Sequence, residues 1–368
     1  MTGKDGLLKN AKNAVEKYNK KSNEEVDTLK SFEEKLNEYV GTIIEDYDST
    51  NLKVDENGLS TANIRIKPNE DNPDNMQIII PTGFAPAILQ TGKLQSLPGE
   101  DGSVKEKMPA EQWNMITVED INKGVVLVDK EENELVWVPI TTDSKFARVE
   151  WITKCGYDAS GKWQENGVIH PLSEISIDNK WWENKTTSEY SNMVGSITNN
   201  KGFYVARYEA SKNNNLAKAQ SKRGENVWNY ISQIDAITES AKCNTVLHSH
   251  LMYGIEWDSI LNWLKGNAQI STKTSTTENQ EIKTVEINDL QTNSGSWGNY
   301  SDSTGNAGIG IGSLQKTGKS EYWKANNIYD FAGNAIEWTQ EKWSTGTVRA
   351  MRGGYYYVNA ERRRSGCT

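Results

Sequence analysis

The placement of tryptophan constrains the fold of this chain more than any other sequence feature. Eleven of its thirteen tryptophans lie beyond Val138, in a stretch with few regular hydrophobic repeats. The chain also has fifteen tyrosines but only five phenylalanines, so most of its aromatic side chains carry a polar atom. Such side chains suit irregular cores and binding surfaces, where one end is apolar and the other meets water. We therefore expect a loop-rich C-terminal part in which tryptophans supply the packing that regular elements do not.

Charge and apolar patterning exclude several classes of protein. The 368 residues include 41 Lys and Arg against 50 Asp and Glu, so the chain lacks the positive excess that nucleic-acid binding requires. No apolar run reaches the roughly 18 residues of a membrane-spanning helix. Three cysteines are too few for a disulfide framework, and three histidines leave little room for a histidine-rich metal centre.

Hydrophobic periodicity divides the first part of the chain into two regions. Apolar residues recur at three- and four-residue steps from Val26 to Ile43, which predicts an amphipathic helix. Residues 1–48 are therefore expected to form a helical stalk that packs on its neighbour or, alternatively, an oligomerising coiled coil through which the chain self-associates. Residues 49–134 are expected to form a small β-rich region, because their apolar residues alternate or form short runs.

Three local patterns predict individual elements. Segments 124–129 and 134–139 flank a polar turn and predict a β-hairpin. Ser232 and Asp235 resemble a capping box, which predicts a helix that starts at this point. Apolar residues at helical spacing from Trp257 to Leu264 predict a second helix, with Gly266 as its C-terminal stop.

Four segments of the C-terminal region occur in a fixed order: Gly202–Glu209, Leu251–Trp257, Asn327–Trp338 and Arg349–Gly354. Together they resemble the formylglycine-generating-enzyme (sulfatase-modifying factor) family, and the Gly-Asn-x-x-Glu-Trp and Arg-Gly-Gly blocks are the most specific. The resemblance covers residues 135–368. It implies an α+β, C-type-lectin-like domain with much irregular loop, and it places Trp137, Trp257 and Trp338 in the core of that domain. The family's closing strand has no counterpart before Thr368, so the chain is expected to be a fragment that lacks it.

The resemblance does not by itself fix an activity, because such folds host several. The oxidising enzymes of the family carry a cysteine pair just after the Arg-Gly-Gly block, at the positions of Val358 and Arg363 here, and Cys367 is a lone thiol further along. A copper-thiolate or disulfide-exchange mechanism needs two sulfur atoms close together. We therefore expect a protein that is not an enzyme and has no catalytic cofactor. A formylglycine-generating-type oxidoreductase is the alternative.

The C-terminal tail carries a second resemblance. Residues 352–366 look like the variable region of ligand-binding proteins that are diversified by retroelements, with Arg-Gly-Gly, an aromatic pair, exchangeable residues and an Arg-Ser-small motif. Tyrosine offers large rigid contacts, asparagine adaptable hydrogen bonds and arginine forked donors, all of which suit recognition. A Tyr-rich core strand with a solvated Arg-rich edge is the alternative. The resemblance implies a ligand-binding surface that consists of Tyr355, Tyr356, Tyr357, Val358, Asn359, Arg362, Arg363 and Cys367.

The N-terminal segment Asp5–Ala14 looks like the part of Gram-positive pilin-like proteins that follows their hydrophobic helix. The helix itself is absent, so we expect residue 1 to be a processed or engineered start. This resemblance implies an extracellular or bacterial cell-surface location, with a phage virion tail as the alternative. The expected partner is a protein or glycan on another cell or virus, not a nucleic acid. A structural pilus or phage tail component, with its tyrosines buried against another subunit, is a further alternative.

A loop from Asp330 to Glu337 is expected to bind calcium. In the family that the chain resembles, side-chain oxygens at the positions of Asp330 and Glu337 and backbone oxygens at the positions of Gly333 and Ala335 hold a structural Ca²⁺. Two carboxylates and two carbonyls form an all-oxygen donor set, which calcium prefers. The alternative is that Glu337 and Asn334 hydrogen-bond to loop amides with no ion present.

Overall fold

The secondary structure is mixed α+β, with mostly small sheets and few helices. From Ile44 onward the described residues belong to one compact unit. The predicted stalk, residues 1–48, lies almost entirely outside the described residues. The computed structural model describes residues 20, 44–142, 145–150, 168–171, 181–182, 187–214, 218–272, 281–291, 294–301, 303, 312–343 and 349–358.

The strands are short and alternate with few helices. In chain order they are β1 Ile44–Asp46, β2 Asn63–Ile66, β3 Ile78–Ile80, β4 Phe84–Leu89, β5 Val104–Lys107, β6 Val126–Asp129, β7 Glu134–Pro139, β8 Ala147–Glu150, β9 Val168–Pro171, β10 Trp181–Trp182, β11 Gly202–Ala206, β12 Ser211–Asn213, β13 Lys218–Gln220, β14 Gln269–Ser271, β15 Ile282–Thr284, β16 Lys324–Ala325, β17 Ile328–Tyr329, β18 Glu337–Trp343 and β19 Arg349–Arg352. The helices are α1 Val118–Lys123, α2 Ser188–Asn200, α3 Gln233–Ala241, α4 Gly254–Leu264 and α5 Ile287–Gln291, with a 3-10 helix at Ala110–Met115.

The largest sheet in the described part of the chain has the strand order β11-β7-β6-β4-β5, with antiparallel neighbours throughout. Its centre is the β6–β7 hairpin, in which Leu127 pairs with Leu135, and this confirms the hairpin predicted from sequence. β4, β5 and β6 lie before residue 134, where the β-rich region was expected to end, whereas β11 lies after it and β7 begins on it. The sheet therefore joins strands from both sides of that predicted boundary.

Each face of this sheet carries its own apolar core. Val126 and Val136 belong to the core on one face, whereas Leu127 and Trp137 belong to the core on the other. This alternation follows from the two-residue period of a β-strand. Helix α4 completes the first core, and β2, β3 and the 3-10 helix complete the second. The continuous apolar runs of β6 and β7 are thus explained, because both of their faces are buried.

Both helices predicted in the C-terminal region form. The side chain of Ser232 accepts a hydrogen bond from the Asp235 N–H at the start of α3. At the start of α4, the Glu256 carboxylate accepts the Tyr253 N–H at 2.8 Å. Gly266, with φ of 74°, follows the end of α4 as expected. None of the helices within the described ranges combines the length and apolar character needed to cross a membrane.

The prediction that Trp137, Trp257 and Trp338 lie in the core is confirmed for two of the three. Trp137 and Trp257 are each 2% exposed and lie in the two cores. Trp338 is instead partly exposed, and its Nε1–H donates to the Ile231 carbonyl at 2.9 Å. The reason is its position on β18, which belongs to the small sheet β10-β18-β19 and contacts α3.

The pairing of β18 with β19 brings two sequence motifs together. Glu337, the first residue of β18, pairs with Arg352, the last residue of β19. The loop that precedes β18 therefore lies beside the segment that follows β19. The candidate site is built from these two stretches of chain.

Candidate functional site

The segment Tyr355–Val358, called here the tyrosine segment, leaves the small sheet shortly after β19. Its path is set by main-chain hydrogen bonds. The Tyr356 N–H donates to the backbone oxygen of Asn334 at 3.1 Å, and the Val358 carbonyl accepts the N–H of Ser301 at 3.1 Å. Because these bonds use backbone atoms, they do not depend on which side chains the segment carries.

Two glycines allow the chain to turn out of the sheet. Gly353 and Gly354 have φ of 87° and 77°, a region that glycine adopts without strain. The Gly353 carbonyl accepts two hydrogen bonds, from the Gly333 N–H at 3.0 Å and from the Tyr300 hydroxyl at 2.8 Å. The Arg-Gly-Gly motif thus supplies a bend that is held at its base by buried groups.

The side chains of the tyrosine segment face outward to different degrees. Tyr357 is 73% exposed, whereas Tyr355 and Tyr356 are partly exposed. Neighbouring rings contact edge to face, with centroids 6.1 and 6.4 Å apart. Their hydroxyls form no hydrogen bond with any other described residue. Val358 packs against the first core and closes the segment.

The structure therefore brings together the first four residues of the predicted ligand-binding surface. The other four lie outside the described residues: Asn359, Arg362, Arg363 and Cys367.

Arg352, the last residue of β19, forms a buried ion pair just before the tyrosine segment begins. It is 3% exposed, and its Nε and Nη2 atoms donate to the two carboxylate oxygens of Glu341 at 2.8 and 2.6 Å. Such a forked pair fixes orientation as well as charge. The Thr339 hydroxyl donates to the same carboxylate at 2.9 Å. The sequence does not single out Thr339 or Glu341, since each is one of four consecutive polar residues in β18.

The stretch 330–337, called here the acidic loop, is built on left-handed backbone conformations. Asp330, Gly333 and Asn334 have φ of 57°, 79° and 58°. Asp and Asn are the non-glycine residues that enter this region most readily, because their side chains bond locally. Here the Oδ2 atom of Asp330 accepts the Gly318 N–H at 2.6 Å. The sequence of the loop matches the conformation that it has to adopt.

Three carboxyl groups on or beside this loop, those of Asp330, Glu337 and Glu209, influence one another's pKa. Burial raises the pKa of Asp330 to about 7. Burial, followed by the charge of Asp330, raises the pKa of Glu337 to about 8. Glu209 is held well above its usual pKa by burial and then by the charges of Asp330 and Glu337. Like charges that share a buried site need a proton or a cation to stabilise them.

The four residues expected to bind calcium all lie in the acidic loop and offer oxygen atoms without hydrogen-bond partners among the described residues. Asp330 Oδ1 and Glu337 Oε2 are both buried without a hydrogen-bond partner. The carbonyl oxygens of Gly333 and Ala335 accept no hydrogen bond from another described residue. In the described part of the chain, no three His, Cys, Asp or Glu side chains are grouped so as to hold a metal. The expected set has only two such side chains plus two carbonyls, so the four free oxygens fit the chemistry of a Ca²⁺ site.

His248 and His250 form no metal site with other described residues. His250 Nε2 lies 3.1 Å from both carboxylate oxygens of Glu256, and its Nδ1 lies 3.2 Å from the His248 carbonyl. Both ring nitrogens are occupied by hydrogen bonds, so the ring is engaged in a partly buried ion pair with Glu256 at the start of α4.

Sequence analysis missed the residue that connects the parts of the site. Glu209 binds the acidic loop through both carboxylate oxygens, to Asn334 and Ala335. The only available signal was its place at the end of one of the four ordered segments. Nothing local marks a glutamate as buried when its partners lie more than a hundred residues away.

Comparison with known proteins adds no assignment. No family model, no curated protein and no solved structure matches this chain.

Proposed function

We propose that this chain is a ligand-binding protein that acts in receptor recognition, with the tyrosine segment and the residues after it as its contact surface. One observation carries the proposal: the tyrosine segment is held by main-chain hydrogen bonds at Gly353, Tyr356 and Val358. Its side chains can therefore change without loss of the bonds that shape it. A segment of this kind is suited to a surface whose sequence varies between copies.

The chemistry of the exposed groups supports recognition of a macromolecule. Tyrosine presents a large, rigid, amphipathic ring at a small entropic cost, and such rings dominate many binding surfaces. Tyr357 offers most of its ring to solvent. The partner proposed is a protein or glycan on another cell or virus, and the proposed location is the bacterial cell surface or a phage tail.

The scaffold proposed for this surface is a C-type-lectin-like domain of the type found in the formylglycine-generating-enzyme family. The supporting observation is that two of the motifs that carry the resemblance adjoin the tyrosine segment. The Arg-Gly-Gly block supplies the bend before the tyrosine segment, and the Gly-Asn block lies directly beneath it through Asn334.

A binding experiment with matched variants tests the proposal. Labelled protein is added to intact bacterial cells that have been treated with protease, with periodate, or with neither. We expect Tyr357→Ala to weaken binding by about tenfold or more, as at an interface hot spot, and to change the free energy of unfolding by less than about 0.5 kcal/mol. The control is Met115→Ala, since Met115 is also exposed, at 64%, but lies outside the surface.

Two outcomes of this experiment would contradict the proposal. Unfolding or failed assembly of Tyr357→Ala would favour a structural subunit contact, and equal binding by both variants would place recognition elsewhere. Diversification has its own test in the flanking DNA. A near-copy of the 3′ coding end beside a reverse-transcriptase gene, differing only at adenines, supports it.

We also propose that the acidic loop binds a structural Ca²⁺ through Asp330, Glu337 and the carbonyls of Gly333 and Ala335. The support is that these four oxygens have no hydrogen-bond partner among the described residues. A bound ion would stabilise the fold by mass action, so thermal unfolding should shift upward with added Ca²⁺. Glu337→Gln should abolish the shift, whereas Glu56→Gln, at an exposed glutamate between β1 and β2, should keep it. The same shift in Glu337→Gln would contradict the site.

A further inference from the structure

Glu209 has a buried carboxylate that connects the region after β11 to the acidic loop. It is 4% exposed, lies shortly after β11, and reaches across to the acidic loop. One carboxylate oxygen accepts the Ala335 N–H at 2.7 Å, and the other accepts the Asn334 Nδ2–H. Both partners are donors. The position therefore requires a head group that accepts at both oxygens, and a glutamine would turn an N–H towards one of the donors.

The hydrogen bonds of the Asn334 side chain fix its orientation and thereby restrict its backbone. Its side chain is fully buried, and its Oδ1 accepts hydrogen bonds from Asn299 Nδ2 and from the Gln315 N–H, both at 2.9 Å. With Nδ2 bound to Glu209, both ends of the amide are engaged, so only one orientation satisfies them all. The backbone has φ of 58°, a conformation with little freedom for a residue other than glycine.

The backbone oxygen of Asn334 is the group that receives the Tyr356 N–H. This bond is the main-chain attachment at the centre of the tyrosine segment. Tyr357, the outer residue of the segment, is exposed and forms no hydrogen bond with another described residue. The direction of its side chain therefore depends on the backbone that precedes it.

We infer that Glu209 is the positioning residue of the recognition surface: by fixing Asn334 it sets the carbonyl that holds Tyr356 and thereby the direction in which the tyrosines are presented. This inference rests on the proposed function, since it takes the tyrosine segment to be the contact surface.

The hydrogen bonds that run from Glu209 through Asn334 to Tyr356 are called here the relay. Amide hydrogen exchange tests the relay without any ligand. In Glu209→Gln, we expect the Tyr356 amide to exchange about tenfold faster relative to the amides of β6 and β7, the change expected for loss of one hydrogen bond's support. The control is Glu256→Gln, because Glu256 is also 4% exposed and also accepts a backbone N–H. It should loosen the start of α4 and leave the relative exchange of Tyr356 unchanged.

The result that overturns the inference is exchange of the Tyr356 amide in step with β6 and β7 in both variants. Should Glu209→Gln fail to fold, Asn334→Gly gives the second test, since it keeps the left-handed backbone and removes the side chain that Glu209 holds. It should speed Tyr356 exchange by a similar factor, and unchanged protection would refute the relay. Binding to cells is scored separately, so failure of the proposed function and failure of the relay give different results.

Discussion

The ion pair between His250 and Glu256 links the protonation of one residue to the stability of the fold. Burial opposes the charged imidazolium, but the Glu256 carboxylate and the hydrogen bonds to it and to the His248 carbonyl raise the pKa of His250 to about 9. Glu256 in turn accepts the N–H that begins α4, whose residues are all buried. Loss of the imidazolium would leave a buried carboxylate short of a partner, which is costly.

The pH dependence has a definite sign. A folded-state pKa near 9, above the ordinary value near 6.5, means that the pair stabilises the native state fully below pH of about 6.5 and loses this contribution as pH rises through 9. We expect His250→Gln to lower the free energy of unfolding by about 2 kcal/mol at pH 6 and by much less at pH 10. Thermal or urea unfolding at the two pH values measures this. An equal loss at both would contradict the ion-pair account.

At the scale of elements, the β16–β17 hairpin shows how a turn can serve tertiary structure. Its two loop residues, Asn326 and Asn327, have φ of 45° and 65°, which is the signature of a type I′ turn. Only one of them has a further role. Asn327 is 1% exposed, and its Nδ2 donates to the carbonyls of Leu94 at 3.2 Å and Gly124 at 2.8 Å.

The two asparagines form a matched pair for mutation. Asn326→Ala should cost about 1 kcal/mol, the penalty for a non-glycine residue with a left-handed backbone. Asn327→Ala should cost about 3 kcal/mol, because two buried carbonyls also lose their donor. Equilibrium unfolding in urea measures both values. Equal costs would mean that the Asn327 side chain contributes little beyond the turn.

At the scale of the whole described unit, buried charges join regions that the sequence separates. Lys324 Nζ, on a residue that is 1% exposed, donates to Ser96 Oγ at 2.7 Å and to the Glu100 carbonyl at 2.8 Å. Arg207 is fully buried and donates to the Gly102 carbonyl at 2.8 Å. These bonds and the shared sheet tie the loop at residues 96–103 to the C-terminal part of the chain.

This connectivity predicts how fragments behave. A cut at residue 134 would separate β6 from β7 and expose an apolar sheet face on each piece, so we expect neither 44–134 nor 135–368 to unfold cooperatively. The uncut unit 44–368 should show one transition in the same assay. A sharp thermal transition from 135–368 alone would instead support an independent domain with the boundary first expected there.

The candidate site was predictable where local chemistry reveals it. Left-handed positions called for Gly, Asn or Asp, and the Gly-Asn and Arg-Gly-Gly blocks indeed form the bends on both sides of the site. The role of Glu209 was not predictable, because nothing in its own neighbourhood reports partners 125 residues away. The partial exposure of Trp338 was not predicted for a similar reason, because a tryptophan judged by residue type alone is expected to lie in the interior.

The sequence by itself determined the short-range features of this protein. Two short apolar runs on either side of a polar turn specified the β6–β7 hairpin, a capping box specified the start of α3, and apolar residues at helical spacing specified α4, because each signal depends on residues close together in the sequence. Only the tertiary structure decided that one sheet spans the expected boundary and that Glu209, Asn334 and Tyr356 form one relay. Those contacts depend on how separate elements pack to bury their apolar faces and pair their polar groups, and no local pattern encodes that arrangement.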